Sequence, residues 1–157
     1  GGKSTTLWGM LHHGWRYVSD ELAPIDLATL YVHPYPRALG LKDQPPPAFP
    51  LPAQAVTTPR AIHVPVAQLP SVSTESTCRV EAAFFITYRG DGIRPSIRPV
   101  SAGEAGARLY ANALNQLSHP NAGLNAAIQI AKGIASFALD TSDLAETCQV
   151  ITAHTAR

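Results

Sequence analysis

Apolar positions take on helical spacing near the start of the chain. Within residues 3–13 (KSTTLWGMLHH), Leu7, Met10 and Leu11 share a face, and Gly14 follows where a left-handed C-terminal cap would sit. This predicts one helix of about three turns. The pattern then shortens into aromatic and β-branched runs. Residues 15–19 (WRYVS) predict a strand that delivers Asp20 and Glu21 at its carboxyl end. Residues 22–25 and 30–33 predict two more short strands, joined by a turn over Asp26, Leu27, Ala28 and Thr29, and Pro24 argues for an edge or irregular position.

From 34 to 70 prolines crowd the chain, Pro45, Pro46 and Pro47 in succession, so extended or polyproline-like loop is expected there. Long loops of this kind are often functional. Regular patterning returns at residues 80–88, where Ala82, Ala83, Phe84, Phe85 and Ile86 form an apolar run suited to a buried strand. Gly90, Asp91 and Gly92 then supply a turn, and residues 96–100 a returning strand. Ser101 with Glu104 three residues on is a capping box, and Ala105, Leu109, Ala113 and Leu117 continue one face, predicting a helix over about 102–117. Two further helices are expected over about 121–135 and 142–152, with Asn121 and either Thr141 or Ser142 as caps. The elements describe an α/β chain without internal repeats or coiled-coil heptads.

Composition narrows the function classes. With 157 residues, 45% of them hydrophobic, the chain can bury one sizeable core, and a single domain over residues 1–157 is expected. A net charge of +1, from 12 basic and 11 acidic residues, gives no reason to expect nucleic acid as a partner, so any phosphate recognition is local. Cys78 and Cys148 lie far apart without a metal-binding spacing, and both read as ordinary buried or half-buried thiols. No run approaches the roughly 20 apolar residues that span a bilayer and no signal-peptide pattern opens the chain, so no membrane partner is expected and the cytoplasm is the expected compartment.

The first five residues carry the candidate chemistry. A phosphate-binding loop needs a glycine-rich turn whose N–H groups surround phosphate, a lysine that reaches the β- and γ-phosphates, and a hydroxyl that ligates Mg²⁺. Gly1, Gly2, Lys3, Ser4 and Thr5 fit the end of such a loop, and the helix that follows adds the positive end of its dipole. The triplet alone is weak. Its position at a helix start, with Asp20-Glu21 arriving about one helix later, strengthens it. A magnesium ion bridging phosphates needs hard oxygen ligands, which Ser4 and a carboxylate would supply, and a second carboxylate could take a proton from an attacking hydroxyl. The first half of the loop and its leading strand would lie upstream of Gly1, so the domain is expected to be incomplete at its N-terminus and weak in nucleotide binding.

The stretch GGKSTTLWGMLHHGWRYVSDELAPID resembles the segment of HPr kinase/phosphorylase-like proteins that runs from phosphate loop to acidic pair. Gly14, Trp15, Arg16, Tyr17, Val18, Ser19, Asp20 and Glu21 carry the match, with Glu21 replacing the family's second aspartate. The segment VHPYPRALGLKD is similar to the HPr-kinase-related branch that accompanies peptide-modification systems, through His33, Pro34, Tyr35, Pro36, Arg37, Leu39, Leu41 and Lys42. Toward the C-terminus, Pro99, Ser101 and Glu104 and the run from 143 to 146 extend the likeness. The resemblance implies a phosphoenolpyruvate-carboxykinase-like P-loop fold, with a mixed sheet and C-terminal helices. It further implies ATP and Mg²⁺, and transfer of phosphate to a serine of a protein or peptide acceptor. Lys3 would hold phosphate, Ser4 and Glu21 would serve the metal, Asp20 would be the catalytic base, and Arg37 and Lys42 would face the transferring phosphate.

Other residues carry weaker readings. Arg89, at a strand end, could contact nucleotide or acceptor. His12 and His13 suit the negative end of the first helix, His33 suits polar scaffolding, and Trp8 and Trp15 suit packing. Two further functions remain open: a general P-loop NTPase, and a non-catalytic ATP-binding module in a modification complex. Homo-oligomerisation is also left open.

Overall fold

The computed structural model describes residues 2–72, 75–90, 92–114 and 120–155, the side chains of 120–122 excepted. It is a mixed α/β protein, with four α-helices and three small sheets among the described residues. Gly1, Asp91 and Leu117, named above in a loop, a turn and a helix, lie outside the described residues.

Helix α1 (Lys3–His12) follows the sequence pattern closely. Gly14 adopts φ 86° just beyond it, and the N–H groups of His13 and Gly14 donate to Met10 and Leu11. A different outcome holds for residues 15–19, which do not form a strand. Only Tyr17 pairs, through one parallel bridge to Val72, while its buried hydroxyl donates to the Arg37 carbonyl at 2.9 Å. The backbone bonds that residues 17 and 18 make go to two different segments, Tyr17 to Ser71 and Val18 to Tyr35, so no ladder forms among the described residues.

The predicted hairpin survives in reduced form. The Asp26 carboxylate accepts from the N–H groups of Ala28 and Thr29 and from the Thr29 hydroxyl, closing the turn. Only β1 (Tyr31–Val32) is a strand, and its upstream arm is the bridge between Ile25 and Val32. The proline-rich stretch departs most from expectation. It contains β2 (Leu39–Leu41), β3 (Val56–Thr57) and β4 (Ile62–Val64), paired antiparallel in the order β2-β4-β3, then a short 3₁₀ turn, Val66–Gln68. Leu39, Leu41, Ile62 and Val64 enter the core while Gly40 and His63 pair between them. The prolines occupy the connections, where a missing N–H costs nothing.

Strand β5 (Cys78–Arg79) pairs antiparallel with β1. Its Cys78 is exposed rather than buried, whereas Cys148 is buried as expected. Strands β6 (Ala82–Tyr88) and β7 (Ser96–Pro99) form where predicted but do not pair with each other. Between them runs β8 (Ala135–Thr141), parallel to β6 over seven residues and antiparallel to β7. The sequence pattern places Ala135 at a helix end and Thr141 as a candidate cap and assigns nothing to 136–140; β8 takes up all seven residues.

Helix α2 (Ala102–Ala111) starts from Ser101, whose hydroxyl accepts from the Glu104 N–H at 3.2 Å, and it ends short of the expected 117. Helix α3 (Pro120–Gly133) packs against it, with Gly106 close to Ile128. Helix α4 (Leu144–Thr155) is capped by Asp143, which accepts from the Glu146 N–H at 2.9 Å, rather than by Thr141 or Ser142. Trp8, Leu11, Tyr17, Leu39, Leu41, Leu139 and Cys148 sit in one core that joins α1, the β2-β4-β3 sheet, β8 and α4. Trp8 is 1% exposed and its indole N–H donates to the Phe49 carbonyl, while Trp15 is at the surface rather than packed. Among the described residues, no helix is long and apolar enough to cross a membrane.

Candidate phosphate-binding site

The N-terminus of α1 opens onto a cleft of about 560 Å³, within the range of small-molecule sites. One wall is the start of α1, Gly2 to Thr6. A second, Lys42, Asp43 and Gln44, follows β2. The third holds Tyr88 at the end of β6, Thr141 at the end of β8, and Ser142 and Asp143 between β8 and α4. The carboxyl ends of two parallel strands therefore meet a helix N-terminus, the arrangement in which open α/β sheets place their ligands.

Gly2 is what lets the loop sit there. Its φ of 97° is left-handed, and a Cβ on it would fall 3.3 Å from the Thr141 Oγ1 and 3.4 Å from the Tyr88 Cβ. The turn carrying Lys3 is thus pressed against both strand ends. Lys3 and Lys42 are exposed, and neither makes an ion pair among the described residues.

The acidic pair divides. Asp20 accepts the Ser4 hydroxyl at 3.2 Å on one carboxylate oxygen and the Gly40 N–H at 3.3 Å on the other. Glu21 is turned outward and meets Arg37 at 3.4 Å, with both side chains largely exposed. Ser4 therefore meets Asp20 and not Glu21, and Asp20, Glu21 and Arg37 are not among the residues that line the cleft. Thr5 and Lys42 line it, as does Ser4. Gly1 lies outside the described residues. Magnesium is held by hydroxyl, carboxylate and phosphate oxygens and needs no dense protein cage. The Ser4–Asp20 contact is a donor set of that kind, and no cluster of three or more His, Cys, Asp or Glu residues suited to a metal occurs among the described residues.

Arg89 does not line the cleft. Its guanidinium meets Asp140 at 3.0 Å and its N–H donates to the Thr141 carbonyl, which ties the ends of β6 and β8 together. His12 stands edge-on to Trp8 and Phe49, and burial there, helped by the His13 charge, holds its pKa below the ordinary value. Burial, then the Asp20 charge, pushes the Tyr17 hydroxyl up.

Thr141, Ser142 and Asp143 escaped the sequence reading as site residues because β8 did. Asp43 and Gln44, contiguous with Lys42, were within its reach. No family model, no curated protein and no solved structure matches this chain.

Proposed function

We infer that the chain is an ATP-dependent phosphotransferase of the phosphoenolpyruvate-carboxykinase-like P-loop type, acting on a serine hydroxyl of a protein or peptide. The observation that carries this reading is the Ser4–Asp20 hydrogen bond, which joins the loop hydroxyl to the acidic pair at a helix N-terminus. Lys3 and Lys42, without an ion pair among the described residues, line two walls of the same cleft and add to it.

In this reading Lys3 and the first N–H groups of α1 hold the phosphates, and Lys42 faces them across the cleft. Both oxygens of Asp20 already accept hydrogen bonds, which suits it to the metal side together with Ser4. Glu21 is one methylene longer, exposed and restrained by Arg37, so it is the carboxylate with reach toward an acceptor. Bound magnesium would offset the phosphate charge. The serine oxygen bonds to the terminal phosphorus, the bond from that phosphorus to the leaving diphosphate breaks, and a carboxylate of the acidic pair takes the serine proton.

The test is incubation with Mg-ATP and serine-containing candidate acceptors, alongside Lys3→Ala and Asp20→Asn. Transfer abolished by both substitutions is expected; transfer indifferent to them refutes the assignment. Phosphate release that never yields a phosphorylated acceptor identifies a hydrolase instead. Nucleotide binding with neither reaction identifies a binding module.

A further inference from the structure

Thr141 ends β8 on the wall facing α1. Its side chain lines the cleft, yet the residue is only 3% exposed, and its hydroxyl has no hydrogen-bond partner among the described residues. The contrast with Thr147, on the same wall and 1% exposed, is direct, because that hydroxyl donates to the Asp143 carbonyl at 2.6 Å. The Thr141 hydroxyl is not one of the sealed side-chain atoms without a partner, which among the described residues are the Ser19 and Ser136 Oγ, so what exposure the residue keeps is toward the cleft. The Thr141 backbone is fixed as well: its carbonyl accepts from the Arg89 N–H at 2.9 Å, and it stands opposite Tyr88 in the β6–β8 register. The hydroxyl is therefore held in place, with space in front of it.

That space is beside the phosphate loop. The Thr141 Oγ1 lies 3.3 Å from where a Gly2 Cβ would be, so a ligand at the start of α1 comes within its reach. We propose that Thr141 is a second, sheet-borne contact to the phosphoryl end of the bound nucleotide, donating to a non-bridging phosphate oxygen opposite Lys3. This rests on the phosphotransferase reading above and adds a binding residue to its site. Asp43 and Asp143 also line the cleft, and their negative charge argues that the phosphates enter as a magnesium complex, seated toward Thr141 and not farther along α4.

The experiment titrates Mg-ATP and magnesium tripolyphosphate, which has phosphates but no base, into the unmodified protein, Thr141→Val, Thr141→Ser and Lys3→Ala. Valine keeps the branched shape and strand preference without the hydroxyl, and serine keeps the hydroxyl. Loss of a hydrogen bond to a charged oxygen should weaken both ligands roughly tenfold or more in Thr141→Val and leave Thr141→Ser near the unmodified protein. Thermal melts establish that both variants are folded. If Lys3→Ala loses affinity but Thr141→Val does not, or if Thr141→Val weakens ATP and not tripolyphosphate, the proposal fails while the phosphate-loop reading stands. If neither substitution changes affinity, or the unmodified protein binds neither ligand, both fail.

Discussion

Gly9→Ala sets two effects against each other at the contact between α1 and α4. Alanine in a helix interior is favoured over glycine by about 1 kcal/mol, so an unpacked helical Gly9 would gain stability. Gly9 is buried, however, and an ideal Cβ there falls 2.7 Å from the Cys148 Sγ and 2.8 Å from the Leu144 Cδ1. Carbon contacts settle near ~3.5–4.0 Å. The Leu144 methyl is the far end of a flexible side chain and can turn aside. Cys148 is 0% exposed and its sulfur moves by one torsion into packed surroundings. Overpacking of this kind costs about 1–3 kcal/mol, so the clash prevails by about 1 kcal/mol net. For a chain of this size that is a fall in Tm of about 2–4 °C. Urea denaturation and thermal melts of Gly9→Ala, Cys148→Ala and the double variant measure it. Cys148→Ala alone loses stability by leaving a small void, but it removes the closest clash. The double variant should therefore be more stable than the sum of the singles by about 0.5–1 kcal/mol. A Gly9→Ala protein that melts higher than the parent, or strict additivity in the cycle, refutes the packing argument.

Ser101→Ala should cost about 1 kcal/mol by leaving the Glu104 N–H uncapped, read as a lower urea midpoint. The hydrogen bonds that Asp26 accepts, first from the Thr29 hydroxyl and then from the Thr29 N–H, hold its carboxyl below the ordinary value. Its stabilising contribution is therefore complete above the unfolded carboxylate pKa and is lost as pH falls through the folded one. Asp26→Asn should remove that part of the acid-side loss of stability, as measured by urea midpoints from neutral to acid pH. Burial pushes the Cys148 thiol up to about 11, so with a thiol-specific chromogenic reagent at mildly alkaline pH Cys78 should react in the native protein and Cys148 only after denaturation.

What the sequence disclosed was local. The Gly14 termination, the Ser101 cap and the Asp26 turn are each decided by residues a few positions apart, and all are found. Strand β8 was hidden because Ala135, Ser136, Phe137, Ala138 and Leu139 suit helix and strand alike, and the pairing that decides between them lies some fifty positions upstream on β6. The same holds for β2 and β4: three-residue strands alternate too briefly to register among prolines, although Leu39, Leu41, Ile62 and Val64 carry the inward signal. At the site, Gly2, Lys3, Ser4 and Lys42 were legible by type and order. The separate directions of Asp20 and Glu21 were not, because they depend on Gly40 and Arg37 arriving from the proline-rich segment.

The two bonds accepted by Asp20 tie the edge of a small sheet to the loop that starts α1. A slip of β2 by one residue would turn Leu39 and Leu41 out of the core and carry the Gly40 N–H away from the carboxylate, leaving Ser4 to hold Asp20 alone. Loop lengths and proline positions between 42 and 61 therefore act on the candidate site twice, through the wall that Lys42, Asp43, Gln44 and Pro46 supply and through the register that keeps that carboxylate aimed.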